Sequence, residues 1–246
     1  FRPDEIYHLA GQSSVGVSFD QPIETIESIA VSTLNMLEAI RLTGRSVRYY
    51  NAGSSECFGN TPEPASESSS FKPRSPYATA KSAAFWAIAN YREAYGIYAC
   101  SGILFNHESP LRPSRFVTSK IIAAARRIRS GSNERLQLGN IDVRRDWGWA
   151  PEYVEAMWLM LQRNAPDDFL IATGETNSLS QFVEETFAQC GLDWRKHVDT
   201  NPKLLRPSEI MISQANPQKA ERALGWKAKK KMRDVIEAML ANRVLP

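Results

Sequence analysis

The sequence predicts an α/β fold built on a parallel sheet, and two observations carry that expectation. Short β-rich runs alternate with longer helical patterns along the 246 residues. Three of the apolar runs end in polar clusters, as expected where strands open onto a ligand site at their carboxyl ends. Taken in order, Ile6 to Ala10 is a compact apolar run stopped by Gly11. Ile29 to Arg41 has helical spacing through Leu34, Leu37 and Ile40, with Gly44 as the stop. Val47 to Ala52 is a second β-rich run and ends in Gly53-Ser54-Ser55. Ser75-Pro76 announces a helix, since serine suits the N-cap and proline the first helical position. Alanine-rich sequence carries that helix to about Tyr95, and Ile103 to Asn106 closes another strand. Phe169 to Thr173 reads as a strand, and Ser178 with Gln181 forms a capping box for a helix reaching Cys190. Pro202, Pro207 and Pro217 mark an irregular stretch before a last helix from about Met232.

Composition narrows the function classes. The apolar fraction of 43% is enough to bury a core. No stretch approaches ~18 uninterrupted apolar residues, and no apolar leader follows Phe1, so neither a membrane partner nor export is expected. Cys57, Cys100 and Cys190 are odd in number and widely spaced, which fits a reducing, cytoplasmic setting rather than a disulfide framework. A net charge of +3 allows a small anionic ligand but gives no case for nucleic acid. The run from Lys227 to Arg233 reads as a solvated helix start, and Arg126, Arg127 and Arg129 as the wet face of an amphipathic helix. His8, His107 and His197 are too dispersed to suggest a metal site.

The three strand-end clusters are Leu9-Ala10-Gly11-Gln12-Ser13, Gly53-Ser54-Ser55-Glu56 and Asn106-His107-Glu108-Ser109-Pro110. Tyr77 and Lys81 are four residues apart and share one face of the helix begun by Pro76. An ammonium close to a phenol favours the phenolate, so the pair is expected to supply a base near neutral pH. Ser54 can donate to a substrate oxygen. Glu56 adds a second acid/base group, which a simple hydride transfer does not require. A surface pair for Tyr77 and Lys81, and a turn cap for Glu56, are the structural alternatives. No glycine-rich turn of the dinucleotide-binding type opens the sequence, so the chain is expected to enter its sheet at a later strand.

Several longer segments resemble the extended short-chain dehydrogenase/reductase superfamily and, within it, the GDP-mannose 4,6-dehydratases. They are Arg74 to Lys81 (RSPYATAK), Gly102 to Pro110 (GILFNHESP), Arg145 to Gly148 (RDWG), Tyr153 to Leu161 (YVEAMWLML) and Ile171 to Gly174 (IATG). The resemblance covers nearly the whole chain and implies a partial Rossmann-like doubly wound parallel sheet whose early strands precede Phe1. Residues 1–110 would form an incomplete NADP-binding domain. Residues 111–246 would form a smaller α/β region for the nucleotide sugar, returning some elements to the sheet.

The implied activity is NADP-dependent conversion of GDP-mannose to GDP-4-keto-6-deoxymannose with loss of water. The resemblance makes Ser54, Glu56, Tyr77 and Lys81 catalytic. Leu9, Ala10, Gln12, Ser13, Lys81, His107 and Arg112 would contact NADP. Asn106, Val117, Lys120, Arg145, Arg206 and Glu209 would hold GDP-mannose, the arginines suiting its pyrophosphate. A homodimer or homotetramer is implied. The sequence departs from the family at Ser54, where threonine is usual, at Gly53, where serine is usual, and at Ala78 and Pro113, where glycine is usual. Two other readings stand beside this one: a nucleotide-sugar epimerase or reductase, which would not need Glu56, and a catalytically silent nucleotide-sugar-binding fragment.

Overall fold

Tyr49 and Tyr50 are adjacent in sequence, both are fully buried, and they point into different cores. That is the period-two alternation of a strand covered on both faces. The computed structural model describes residues 2–242. From the amino end, β1 (Glu5–His8) leads to α1 (Val15–Asp20), α2 (Pro22–Ile26) and α3 (Ser32–Thr43), the last two joined through a π turn, Glu27–Val31. Next come β2 (Arg48–Ala52), a 3-10 turn (Ser55–Phe58), α4 (Pro76–Tyr95) and β3 (Ala99–Leu104). Beyond Phe105 follow β4 (Asn106–Glu108), α5 (Val117–Arg129), β5 (Leu136–Leu138), β6 (Arg144–Arg145), β7 (Trp147–Trp149) and α6 (Ala150–Leu161). The chain then forms β8 (Phe169–Ile171), β9 (Asn177–Ser178), α7 (Leu179–Gln189), β10 (Val198–Thr200), α8 (Gln218–Leu224) and α9 (Met232–Leu240).

The main sheet has the order β1-β2-β3-β8, and every pairing in it is parallel. On one face Tyr49 packs with Leu37, Ile40 and Ile88 from α3 and α4. On the other, Tyr50 packs with Tyr153, Met157 and Met160 from α6. Helices on both faces make this the doubly wound arrangement expected from the sequence. A separate core joins α5, α7 and α9 to β5, β7 and β10 through Ile121, Phe182, Phe187, Val235 and Trp147. Three short pairs, β4 with β7, β5 with β10 and β6 with β9, frame that second core. Among the described residues, no helix is long and apolar enough to cross a membrane. The three cysteines are free and buried.

Three boundaries differ from expectation. The helix expected from Ile29 begins at Pro22, because the π turn shifts the apolar phase and hides the continuity of α2 with α3. The strand expected from Ile103 begins at Ala99, where Ala-Cys-Ser-Gly carries little β signal. The lysine run precedes α9 and is not helical, because the backbone amides of Lys229 and Lys230 donate to the Glu152 carboxylate.

Gly102 is required by its neighbour across the sheet. A Cβ at this position would clash with the Tyr50 hydroxyl, and among the described residues that hydroxyl has no hydrogen-bond partner. Gly102→Ala is therefore expected to cost about 1–3 kcal/mol through overpacking. Tyr50→Phe should be close to neutral, and the double substitution should recover part of the loss, all read from urea denaturation midpoints.

Candidate active site

Serine and proline chemistry sets the position of Tyr77. The Ser75 hydroxyl accepts from the Ala78 amide at 3.1 Å, and Pro76 occupies the first helical position, which puts Tyr77 in the first turn of α4. Tyr77 and Lys81 both face inward and are buried. The Lys81 ammonium donates to the Ala52 carbonyl at 2.8 Å, tying α4 to the end of β2. It also lies 5.8 Å from the centroid of the Tyr77 ring. After Ala52 the chain turns sharply, with the Gly53 amide donating to the Gly102 carbonyl at 2.8 Å. Ser54 caps the following 3-10 turn by accepting from the Glu56 amide at 3.3 Å. Cys57 is buried beside this turn, and its thiol reaches the Ala78 carbonyl at 3.7 Å. Ser54, Glu56, Tyr77 and Lys81 are thereby brought into one group.

The electrostatics of that group differ from the sequence expectation. Burial pushes the Tyr77 phenol up to about 12, the Ser54 hydroxyl opposing the rise and the charges of Cys57 and Glu56 adding to it. Burial also pushes Lys81 down to about 8. The Lys81 ammonium is engaged by Ala52, and desolvation, the largest influence on the phenol, leaves Tyr77 far above neutral pH in this state. Glu56 is raised above the ordinary carboxylate range by burial, while Arg145 and Arg206 pull it back and Glu209 reinforces the rise. Arg145 Nη2 lies 3.3 Å from Glu209 Oε1, and Arg206 Nη1 lies 3.5 Å from the same oxygen. Two guanidinium groups thus share one carboxylate within the field of Glu56. The buried Arg145 comes from β6, and the Arg206–Glu209 segment reaches it from the irregular stretch before α8.

The first cluster follows β1, whose end is in register with β2 through His8 and Asn51. Gly11 adopts φ +125°, and a Cβ there would meet the Ser28 carbonyl at 2.9 Å, so only glycine fits. The Gln12 side chain donates to the Ser14 carbonyl at 2.8 Å and to the Thr25 hydroxyl at 3.2 Å. Ser13 and Ala10 lie in this turn, and Leu9 is 55% exposed at the strand end. Val15, just beyond, packs against the cluster that contains Tyr77, Ala80 and Ala84.

In the third cluster, Asn106 pairs with Trp147, two residues beyond Arg145. His107 stacks on Tyr153, with ring centroids 4.9 Å apart, and its Nδ1 lies 2.9 Å from the Phe105 carbonyl. Burial pushes His107 down to about 4, so the ring is neutral, with Nδ1–H donating and Nε2 free to accept. Arg112 lies over the Phe116 ring at 3.9 Å, and its charge acts on Tyr77. Val117 and Lys120 stand on α5, and the Lys120 ammonium donates to the Gln137 carbonyl at 2.7 Å. Among the described residues, no hydrogen bond joins these two to the Glu56 group.

Two supporting acids carried no role in the sequence reading. Glu108 is buried, accepts from the Thr118 hydroxyl at 2.8 Å and lies 3.3 Å from Arg112 Nε. Its spacing of four from Arg112 was a readable signal. Asp146 is wholly buried, and its carboxylate takes the backbone amides of Thr173 and Gly174. A charged residue set between Arg145 and an apolar Trp-Gly-Trp strand was the only sequence hint. Two cavities, of about 520 and 350 Å³, lie elsewhere: one by Trp149 and Glu152, the other by Ser69 and Trp86.

Residues 1–239 match the family model described as GDP-mannose 4,6 dehydratase. GDP-mannose 4,6 dehydratase 1 of Arabidopsis thaliana is 49% identical over 97% of this chain and 67% of its own length. A second Arabidopsis relative is also 49% identical and is covered over 65%. GDP-mannose 4,6 dehydratase of Homo sapiens is 42% identical over 97% of this chain and 70% of its own. The chain thus spans about two thirds of the length of the Arabidopsis relatives. Among solved structures, RMD from Pseudomonas aeruginosa complexed with NADPH superposes with a TM-score of 0.89 at 24% identity, over 98% of this chain and 81% of that one. The Thermus thermophilus UDP-glucose 4-epimerase complex with NAD gives 0.83 at 25%, over 97% and 78%. At these identities the structural likenesses establish the fold.

The Tyr77 environment has a direct test. Ser54→Ala removes the hydroxyl that opposes the rise, so the Tyr77 transition should move to still higher pH. Ultraviolet difference titration reads this against a Tyr77→Phe control; a downward shift would contradict the arrangement described.

Proposed function

The chain belongs to the GDP-mannose 4,6-dehydratase family, and from that premise we propose that it converts GDP-mannose to GDP-4-keto-6-deoxymannose, with NADP as cofactor. The observation that carries this reading is Glu56, held beside the Tyr77 phenol and within the field of Arg145 and Arg206. An epimerase or reductase needs no carboxylate there. The family match and the relatives at 42–49% identity are also dehydratases.

The residues present fit the nicotinamide end of a dinucleotide. Lys81 spends one of its three donors on Ala52, and Leu9 offers exposed apolar surface at the neighbouring strand end. In this reading Leu9, Ala10, Gln12, Ser13, Lys81, His107 and Arg112 hold the cofactor. Bound in its oxidised form, the nicotinamide would supply a hydride acceptor for C4 and a positive charge that favours the Tyr77 phenolate; only after taking the C4 hydride would it be a donor for C6.

Tyr77 takes the proton of the 4-hydroxyl, and Ser54 donates a hydrogen bond to that oxygen. A carbonyl at C4 makes the C5 proton acidic. Glu56 removes it and passes it to O6, which leaves as water; C5 then regains a proton, matching the one Tyr77 took from the 4-hydroxyl, as the hydride is returned to C6. A carboxyl group raised by burial but restrained by two arginines suits both halves of that transfer. Arg145 and Arg206 bind the diphosphate, Glu209 accepts from ribose hydroxyls, and Asn106, Val117 and Lys120 complete the sugar-nucleotide side. The sheet carries the cofactor and the core around α5, α7 and α9 carries the nucleotide sugar. The assembly is a homodimer or homotetramer; Ile23, Val31 and Leu34 are exposed apolar residues along α2, the π turn and α3 that a subunit contact would cover.

Incubation with GDP-mannose and NADP, followed by mass spectrometry, should show a product lighter by one water. Unchanged substrate at full cofactor occupancy refutes the proposal. Glu56→Gln should slow water loss by about 10²–10⁴-fold while the substrate still reduces NADP; equal loss of both steps would make Glu56 structural. Arg206 favours the Glu56 carboxylate, so Arg206→Met should move the acid limb of kcat to higher pH. The shift is read at saturating substrate, and a downward shift would contradict the assignment.

A further inference from the structure

Arg145 lies in a two-residue strand, β6, too short to fix a guanidinium by itself. Its backbone is held from two sides. Arg145 pairs with Asn177 of β9, and the neighbouring Arg144 exchanges bonds with Met211 and Ser213. The residue that follows supplies a third hold of a different kind. Asp146 is 0% exposed, its Oδ1 accepts from the Thr173 amide at 3.0 Å, and its Oδ2 accepts from the Gly174 amide at 2.8 Å. These two amides belong to the turn that leaves β8, the last strand of the main sheet. Lys231 donates to the carbonyl of Thr173 in the same turn. The carboxylate of Asp146 thus joins the peptide carrying Arg145 to the body that carries Tyr77 and Glu56.

We propose that Asp146 is the positioning residue for Arg145, locking its guanidinium at the height of Glu56 through the Thr173–Gly174 turn. This rests on the proposed function insofar as Arg145 is the diphosphate ligand. A buried carboxylate taking two backbone donors is a strong and directional anchor. Replacing it with an amide turns one acceptor into a donor facing an N–H, which breaks that half of the clamp. The main consequence falls on the residue next in line, because Arg145 Nη1 already bonds its own neighbour's carbonyl and Nη2 alone reaches Glu209. A shift of the peptide moves both.

Calorimetric affinity for GDP-mannose tests this in four proteins: the unaltered chain, Asp146→Asn, Arg145→Met and the double variant. Asp146→Asn should bind about tenfold more weakly or worse. In the Arg145→Met background it should cost nothing further, because a positioning residue has no effect once its client is gone. Unchanged affinity in Asp146→Asn, or an undiminished loss in the double variant, overturns the proposal. Asp146→Glu keeps both acceptors and serves if the asparagine variant does not fold. It should bind between the unaltered chain and Arg145→Met; affinity weaker than that of Arg145→Met, or a further loss when the two are combined, overturns the proposal. Failure of the unaltered chain to bind GDP-mannose counts against the function, not the clamp. The clamp is then read directly from a crystal structure of Asp146→Asn: Arg145 displaced from Glu209 supports it, and Arg145 unmoved refutes it.

Discussion

The hydrogen bond from Lys81 to the Ala52 carbonyl is the contact on which the site depends. A buried ammonium is expensive unless it is well bonded, and this one is spent holding a helix against a strand end. That bond fixes α4 relative to β2, and with it the separation of Tyr77 from Ser54 and Glu56. The parallel register does the rest. His8 lies beside Asn51, and Ala52 beside Gly102, so successive strands release their chains on the same edge. A sheet of this kind gathers residues from distant parts of the sequence without needing any of them to be close along it.

Desolvation and charge compete throughout this group, and the balance differs by residue. Tyr77 is raised and Lys81 lowered, both chiefly by burial, so each is pushed toward its neutral form. Glu56 is pushed the same way but faces two guanidinium groups that resist. His107 is kept neutral by burial and by the charge of Arg112. A site with groups poised near neutrality responds strongly to the arrival of one full charge, which is how proton transfers come to be ordered around a ligand.

Much of this could be read from the sequence where the governing physics is local. Helix α4 was legible at both ends, because a serine cap, a proline at the first position and a closing glycine act within a few residues. The capping box of Ser178 and Gln181 is of the same kind. Features set by distant partners were hidden. The small residues of β3 make sense only once Tyr50 is seen lying over Gly102. The π turn is invisible to a search at one helical period. Asp146 finds its donors at Thr173 and Gly174, in another strand's exit turn, and no spacing rule reaches that far. The segment from Arg74 to Lys81 shows that Tyr77 and Lys81 share a helix face, but it gives no warning that burial pushes the Tyr77 phenol up.

The shared oxygen of Glu209 has a consequence for how anions enter. Arg145 and Arg206 are already compensated before any ligand arrives. If Arg145 and Arg206 take the diphosphate as proposed, an incoming polyphosphate exchanges with a resident counter-charge instead of filling an empty cationic hole. On that assignment entry is a swap in which Glu209 is released to find new donors, so the attraction felt at long range is muted and discrimination is deferred to close contact. Simple anions that bring charge but no hydroxyl groups for the displaced carboxylate gain the least from such an exchange.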